Sequence, residues 1–218
     1  MLRASARAKS IPIVLLAGVA AVLFAPLFRW GLAKPALFWW WMSGLLLLLN
    51  TSMLVSRPDL RRQLVSDFRS DAFRKLVIGI VSAAGLYLIF LAGRMLIRGW
   101  LPDSEQHISS VYLLRPALSA WLIALLMITI IGPGEEIFWR LFLQPRFCAR
   151  FGDRTGLLIG ALLYAGVHAG SGNLVLILAA LVAGLFWGWL YATTSSASII
   201  IYSHALWDVS VFVIAPFS

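Results

Sequence analysis

Seven long apolar stretches dominate this chain, over 11–28, 36–55, 76–93, 112–148, 155–169, 173–192 and 197–216. Turn chemistry separates them: Lys34-Pro35, Arg57-Pro58, Leu101-Pro102-Asp103, Gly152-Asp153, Gly170-Ser171-Gly172 and Thr194-Ser195-Ser196. A helix crosses the hydrocarbon of a bilayer with about 20 apolar residues. Backbone polar groups in lipid must be satisfied internally, which leaves only helices and closed barrels as spanning structures. These runs do not alternate apolar and polar residues, so a barrel is excluded. Composition agrees, since only 12% of residues are charged and 61% are hydrophobic, where soluble domains carry about 25% charged residues. The expectation is an all-α polytopic transmembrane helical bundle of about seven spans, forming a single integral-membrane domain over 1–218.

Charge sets the orientation. Arg3, Arg7 and Lys9 precede an apolar run that continues to Phe28. That run is longer than the roughly 7–15 residues of a secretory h-region, so it reads as a first span. Near 57–75, Leu60, Leu64 and Phe68 recur every four residues among Arg57, Arg61, Arg62, Arg69, Arg74 and Lys75. This pattern fits an amphipathic helix lying in the membrane interface, with an ordinary loop as the alternative. Six basic residues mark the connection as cytoplasmic. The basic N-terminus falls on the same side, with two spans between. The net charge of +9 therefore speaks of basic loops and anionic headgroups rather than nucleic acid. The protein reads as a multi-pass protein of the cell (inner or plasma) membrane. Its one cysteine, Cys148, permits neither an internal disulfide nor a cysteine-held metal.

The stretch 112–148 would be about 55 Å long as one helix, more than the roughly 40–45 Å of a whole bilayer. It is either two short spans or one helix kinked at Gly132-Pro133-Gly134. Arg146, Arg150 and Arg154 follow it. One crossing puts them in the cytoplasm and two crossings put them outside. The positive-inside rule favours one, giving seven spans with the C-terminus outside; eight is the alternative count.

Polar and ionisable residues inside spans are costly and point to function. This chain has Glu135, Glu136 and Arg140 in the fourth span, His168 in the fifth, and His204 and Asp208 in the seventh. Glu136 and Arg140 are four residues apart and can pair. Glu135 lies about 100° away around the helix, so the two carboxylates cannot serve one partner equally. Tyr164 and His168, and His204 and Asp208, repeat the spacing of four. Trp139 and Trp207 adjoin the set and, with Tyr164, are candidates to line its cavity. Trp39-Trp40-Trp41 reads as an interfacial aromatic belt.

Carboxylates and histidines with no serine at an obvious nucleophile position suggest hydrolysis by activated water. A buried Glu can act as general base, and a His–Asp pair can face the developing oxyanion. Zinc held by two His and a Glu is the rival, although the H-E-x-x-H pattern is absent; no metal or other cofactor is expected. Ser203 does not share a helix face with His204, and only Asp208 among the aspartates lies in a span, so serine and two-aspartate intramembrane sites do not fit. A non-catalytic immunity or scaffold protein and a small proton-relaying transporter are the readings from other classes. The transporter lacks an inverted repeat.

Three motifs occur in order: Glu135-Glu136-x-x-x-Arg140, Tyr164-x-x-x-His168 and His204-x-x-x-Asp208. Together they resemble the CAAX-protease and bacteriocin-processing (CPBP, or Abi) family of intramembrane glutamic endopeptidases, over about 110–216. The resemblance implies that Glu135 activates water and that His168 positions it. It implies an oxyanion-stabilising side at His204 and Asp208, with Glu136 and Arg140 in support. It also implies a membrane-embedded cavity and a membrane-associated peptide or protein substrate. Tyr164 stands where the family often has Phe, Leu141 where Gly often follows the arginine, and Asp208 where Asn is commoner. The substrate, its prenylation and the oligomeric state are not in the sequence.

Overall fold

The computed structural model describes residues 13–31 and 34–217. Arg3, Arg7 and Lys9 lie outside the described residues. Among the described residues the chain is helical with no strand: α1 (Ile13–Pro26), α2 (Pro35–Ser56), α3 (Pro58–Arg69), α4 (Ala72–Trp100) and α5 (Ser104–Tyr112) come first. The long α6 (Ala120–Phe151), α7 (Asp153–Val167), α8 (Leu174–Thr194) and α9 (Ala197–Ile214) follow. Helices α2, α4, α6, α8 and α9 are long and apolar enough to cross a membrane. Helices α1 and α7 occupy the other two expected spans but are shorter. The 15 residues of α7 reach about 22 Å, less than the roughly 30 Å of hydrocarbon.

Two boundaries differ from the sequence reading. The fourth span begins at Ala120, not at 112, because Arg115-Pro116-Ala117 forms a separate 3₁₀ turn and Leu118 is extended. Pro116 has no N–H to give a helix, and its ring disfavours helical backbone before it. The amphipathic helix ends at Arg69, where Ser70 is extended and Asp71 takes a left-handed φ of 49°. Arg74 and Lys75 therefore belong to the first turn of α4. The apolar face of α3 does not lie free in the interface. Leu60 is buried, Leu64 and Phe68 pack on the protein core, and Phe68 meets Tyr202 edge to face at 5.6 Å.

Helix α6 runs unbroken through Gly132-Pro133-Gly134, and Gly132 itself is helical (φ −55°, ψ −53°). One continuous helix fits one crossing rather than two. The irregularity expected at the glycines is instead a pair of π-helical turns on either side, Met127–Ile131 and Ile137–Leu143. The Gly132 N–H reaches back five residues to the Met127 carbonyl, which makes room for a proline that cannot donate. Two more π turns, Leu27–Gly31 and Ser210–Ile214, extend α1 and end α9. Single π turns concentrate at functional sites.

Burial decides which helices are central. In α6 and α9, 56% of the spanning window is buried, against 17% in α4, which therefore lies at the periphery. Gly132 explains how closely the central pair can approach: a Cβ there would sit 3.2 Å from the backbone of Ala205. Trp39 corrects the aromatic-belt reading. It is 1% exposed and its indole donates to the Leu114 carbonyl at 3.0 Å, while only Trp40 of the three is exposed.

Candidate active site

Two linked clusters form around the middle of the bundle. In the first, the Glu136 Oε1 accepts from Arg140 Nη1 at 2.9 Å and lies 2.6 Å from His204 Nδ1. Glu136 is 0% exposed and Arg140 and His204 are nearly as deep. The i,i+4 spacing on α6 thus gives the expected pair, and α9 supplies a third member. His204 Nε2 stands 3.5 Å from Asp208 Oδ2. Both ring nitrogens face carboxylate oxygens, and an ionised carboxylate only accepts. The doubly protonated ring is the form that satisfies both contacts.

In the second cluster, the Tyr164 hydroxyl donates to Glu135 Oε2 at 2.5 Å. One turn on, His168 Nδ1 lies 2.7 Å from the Tyr164 carbonyl. A carbonyl only accepts, so Nδ1 carries the proton and the neutral ring presents Nε2 as an acceptor. The two carboxylates of the Glu-Glu pair therefore serve different partners, as their angular offset on the helix requires. Glu135 faces α7 and Glu136 faces α9.

Aromatic rings join the clusters. The Arg140 guanidinium lies 4.6 Å from the centre of the Tyr164 ring and 5.5 Å from that of Trp187. Trp187 stacks on His204 at 3.7 Å and 16°, and its indole donates to Ser203 Oγ at 3.2 Å. Trp139 meets Tyr164 edge to face at 5.3 Å and Trp207 meets Trp187 at 5.7 Å. Both tryptophans proposed as cavity-lining thus lie beside the polar set. Among the described residues, the buried Trp207 indole nitrogen has no hydrogen-bond partner, nor do Glu136 Oε2 and Arg140 Nη2.

Three contributors were missed in the sequence. Phe28 lies over His168 at 4.1 Å and 36°. It is delivered by the π turn after α1, whose approach Gly170 allows: a Cβ there would fall 2.4 Å from the Ala25 carbonyl oxygen. Trp187 was an unremarked member of an apolar run. Asn50 of α2 donates to the Gly134 carbonyl at 3.1 Å, 84 residues away, immediately before Glu135. An asparagine ending a run of five leucines was a signal available for this last residue. Among the described residues, no group of three or more His, Cys, Asp or Glu side chains has the arrangement to hold a metal ion.

Residues 117–210 match the model of a protein family described as type II CAAX prenyl endopeptidase, Rce1-like. Over these residues, a little under half of the chain, the protein is similar to the Rce1-like family. No curated protein and no solved structure matches it. The Rce1-like segment holds every site residue named from the three motifs and falls within the 110–216 over which they run. It also holds Trp187, whereas Phe28 and Asn50 come from the helices before it. The family is one of membrane-embedded proteases acting on peptide substrates, and the fold is that of a multi-helix membrane protein.

Proposed function

We propose that this protein is an intramembrane endopeptidase that hydrolyses a peptide bond of a membrane-associated protein or peptide with a Glu/His-activated water. The observation that carries this reading is the division of labour between adjacent carboxylates. Glu136 is committed to Arg140 and His204. Glu135 has Tyr164 on one oxygen only, and the other is left to act on water. Glu135 takes a proton as the water oxygen attacks the substrate carbonyl carbon, and later returns it to the leaving amine. His168, with Nε2 free to accept, orients the water. The His204–Asp208 side faces the oxygen on which negative charge develops; the Nε2–H of His204, which stands 3.5 Å from Asp208, is the donor that can turn to it, while Glu136 holds the ring through Nδ1.

The basic end of the bundle, with α3 and the Arg146–Arg154 stretch, faces the cytoplasm in this proposal, and the membrane is the cell membrane. The matched family's description supplies the first substrate to test, a peptide ending in a prenylated CAAX motif. The assay is cleavage of a quenched fluorescent peptide of that type by purified protein in liposomes. Wild type is compared with Glu135→Gln, His168→Ala and His204→Ala. The expected loss for Glu135→Gln is roughly 10²–10⁴-fold in kcat. Equal cleavage by wild type and all three variants would sink the mechanism. Loss of wild-type activity to a chelator, restored by Zn²⁺, would replace it with a metal mechanism.

A further inference from the structure

We infer that Tyr164 is a positioning residue for Glu135, a role that rests on the function proposed above. The usual phenylalanine of the motif could pack in the same place but could not make this contact. The Tyr164 hydroxyl donates to Glu135 Oε2 at 2.5 Å, deep in the protein. Among the described residues it is the only hydrogen-bond partner of that carboxylate. A glutamate side chain turns about three bonds and a single-atom anchor removes most of that freedom. With Oε2 held, Oε1 has no protein partner among the described residues and is left to meet a water.

The same residue touches two more members of the site. Its backbone carbonyl takes the Nδ1 proton of His168 at 2.7 Å, and its ring lies 4.6 Å from the Arg140 guanidinium. Trp139 closes one side of that ring at 5.3 Å. Tyr164 thus sets Glu135 through its hydroxyl, His168 through its backbone and Arg140 through its ring. Only the first of these needs a tyrosine. Gly184 of α8 lets the ring seat closely, since a Cβ there would come within 3.2 Å of it.

Tyr164→Phe isolates the hydroxyl, because the backbone bond and the ring contacts survive the change. Hydrogen bonds to charged groups contribute about 1.5–3 kcal/mol, so kcat is expected to fall by roughly 10- to 100-fold. KM for the prenylated quenched peptide stays within about twofold, because the hydroxyl does not touch substrate. An infrared difference spectrum reads the contact without turnover. The carboxyl band that disappears in Glu135→Gln shifts in Tyr164→Phe. A Tyr164→Phe protein with wild-type kcat overturns the inference, and so does an unshifted Glu135 band. If Glu135→Gln abolishes cleavage while Tyr164→Phe leaves it intact, only this inference fails. If Glu135→Gln itself cleaves normally, the proposed mechanism fails instead.

Discussion

At the scale of single residues, neighbouring glutamates carry opposite consequences. Glu136 has no exposed surface and joins Arg140 to His204. Removing one partner of a buried ion pair leaves an uncompensated charge and costs about 3–5 kcal/mol. Glu136→Ala is therefore expected to lower the thermal unfolding midpoint sharply in detergent, and to lose activity because the protein no longer holds its fold. Glu135 has a neutral partner, and an amide can still accept from Tyr164. Glu135→Gln should keep a midpoint close to wild type while losing cleavage. Equal destabilisation by the two changes would show that the residues share one structural role. The sequence revealed this asymmetry in outline, because the i,i+4 spacing singles out Glu136 as the partner of Arg140. It could not show that His204 completes that pair, since the contact spans 68 residues. The stacking of Trp187 on His204 and of Phe28 on His168 was invisible for the same reason. An aromatic residue in an apolar run carries no mark of which polar ring it covers.

At the scale of elements, hydropathy located each spanning helix but not the clamp that fastens α3. Nothing in the charge pattern near 57–75 distinguishes Asp67. Its carboxylate accepts from the Ser198 N–H at 2.7 Å and the Ser196 hydroxyl at 3.1 Å, capping α9, the helix that carries His204. Lys75, at the start of α4, reaches its other oxygen at 2.7 Å. One side chain thus ties three elements, and the pattern is legible only after the chain has folded back across about 130 residues. Partial burial pushes the Asp67 carboxyl up, but the bonds from Lys75, Ser198 and Ser196 outweigh it and hold it below its ordinary value. A carboxylate depressed by folding adds stability above its unfolded pKa, and that stability is lost as pH falls through the folded one. Asp67→Ala should cost roughly 1–2 kcal/mol at neutral pH, the scale of a lost helix cap. Its signature is faster amide exchange across Pro58–Arg69, with the gap between variant and wild type closing below the ordinary carboxylate range. A gap of constant size down to strongly acidic pH would mean that the charge on Asp67 does not fasten the helix.

At the scale of the whole molecule, the side-chain contacts sort the connections into two ends. Gln144, late in α6, donates to the carbonyl of Gly188, late in α8, at 3.0 Å. Asp67 binds the start of α9. The α3–α4, α6–α7 and α8–α9 connections therefore gather at one end. At the other, Asn173 donates to the His107 carbonyl and Ser110 hydroxyl, and the Phe217 N–H donates to Tyr112. That gathers the α4–α5 and α7–α8 connections and the end of α9. Alternation between the two ends means that α6 and α7 each traverse the bundle once, which favours about seven spans over eight. It follows that the short α7 must be shielded by its neighbours or meet a locally thinned bilayer, since its length falls short of the hydrocarbon. Placing a cysteine at each end tests this directly, because Cys148 is the only native one. In a Cys148→Ser background, Ser70→Cys and Asp153→Cys should react with a membrane-impermeant maleimide from the same side. Asp103→Cys should react only from the opposite side. Labelling of positions 70 and 153 from opposite faces would divide α6 into two crossings, and Glu135 would then lie at a hairpin rather than inside a continuous helix.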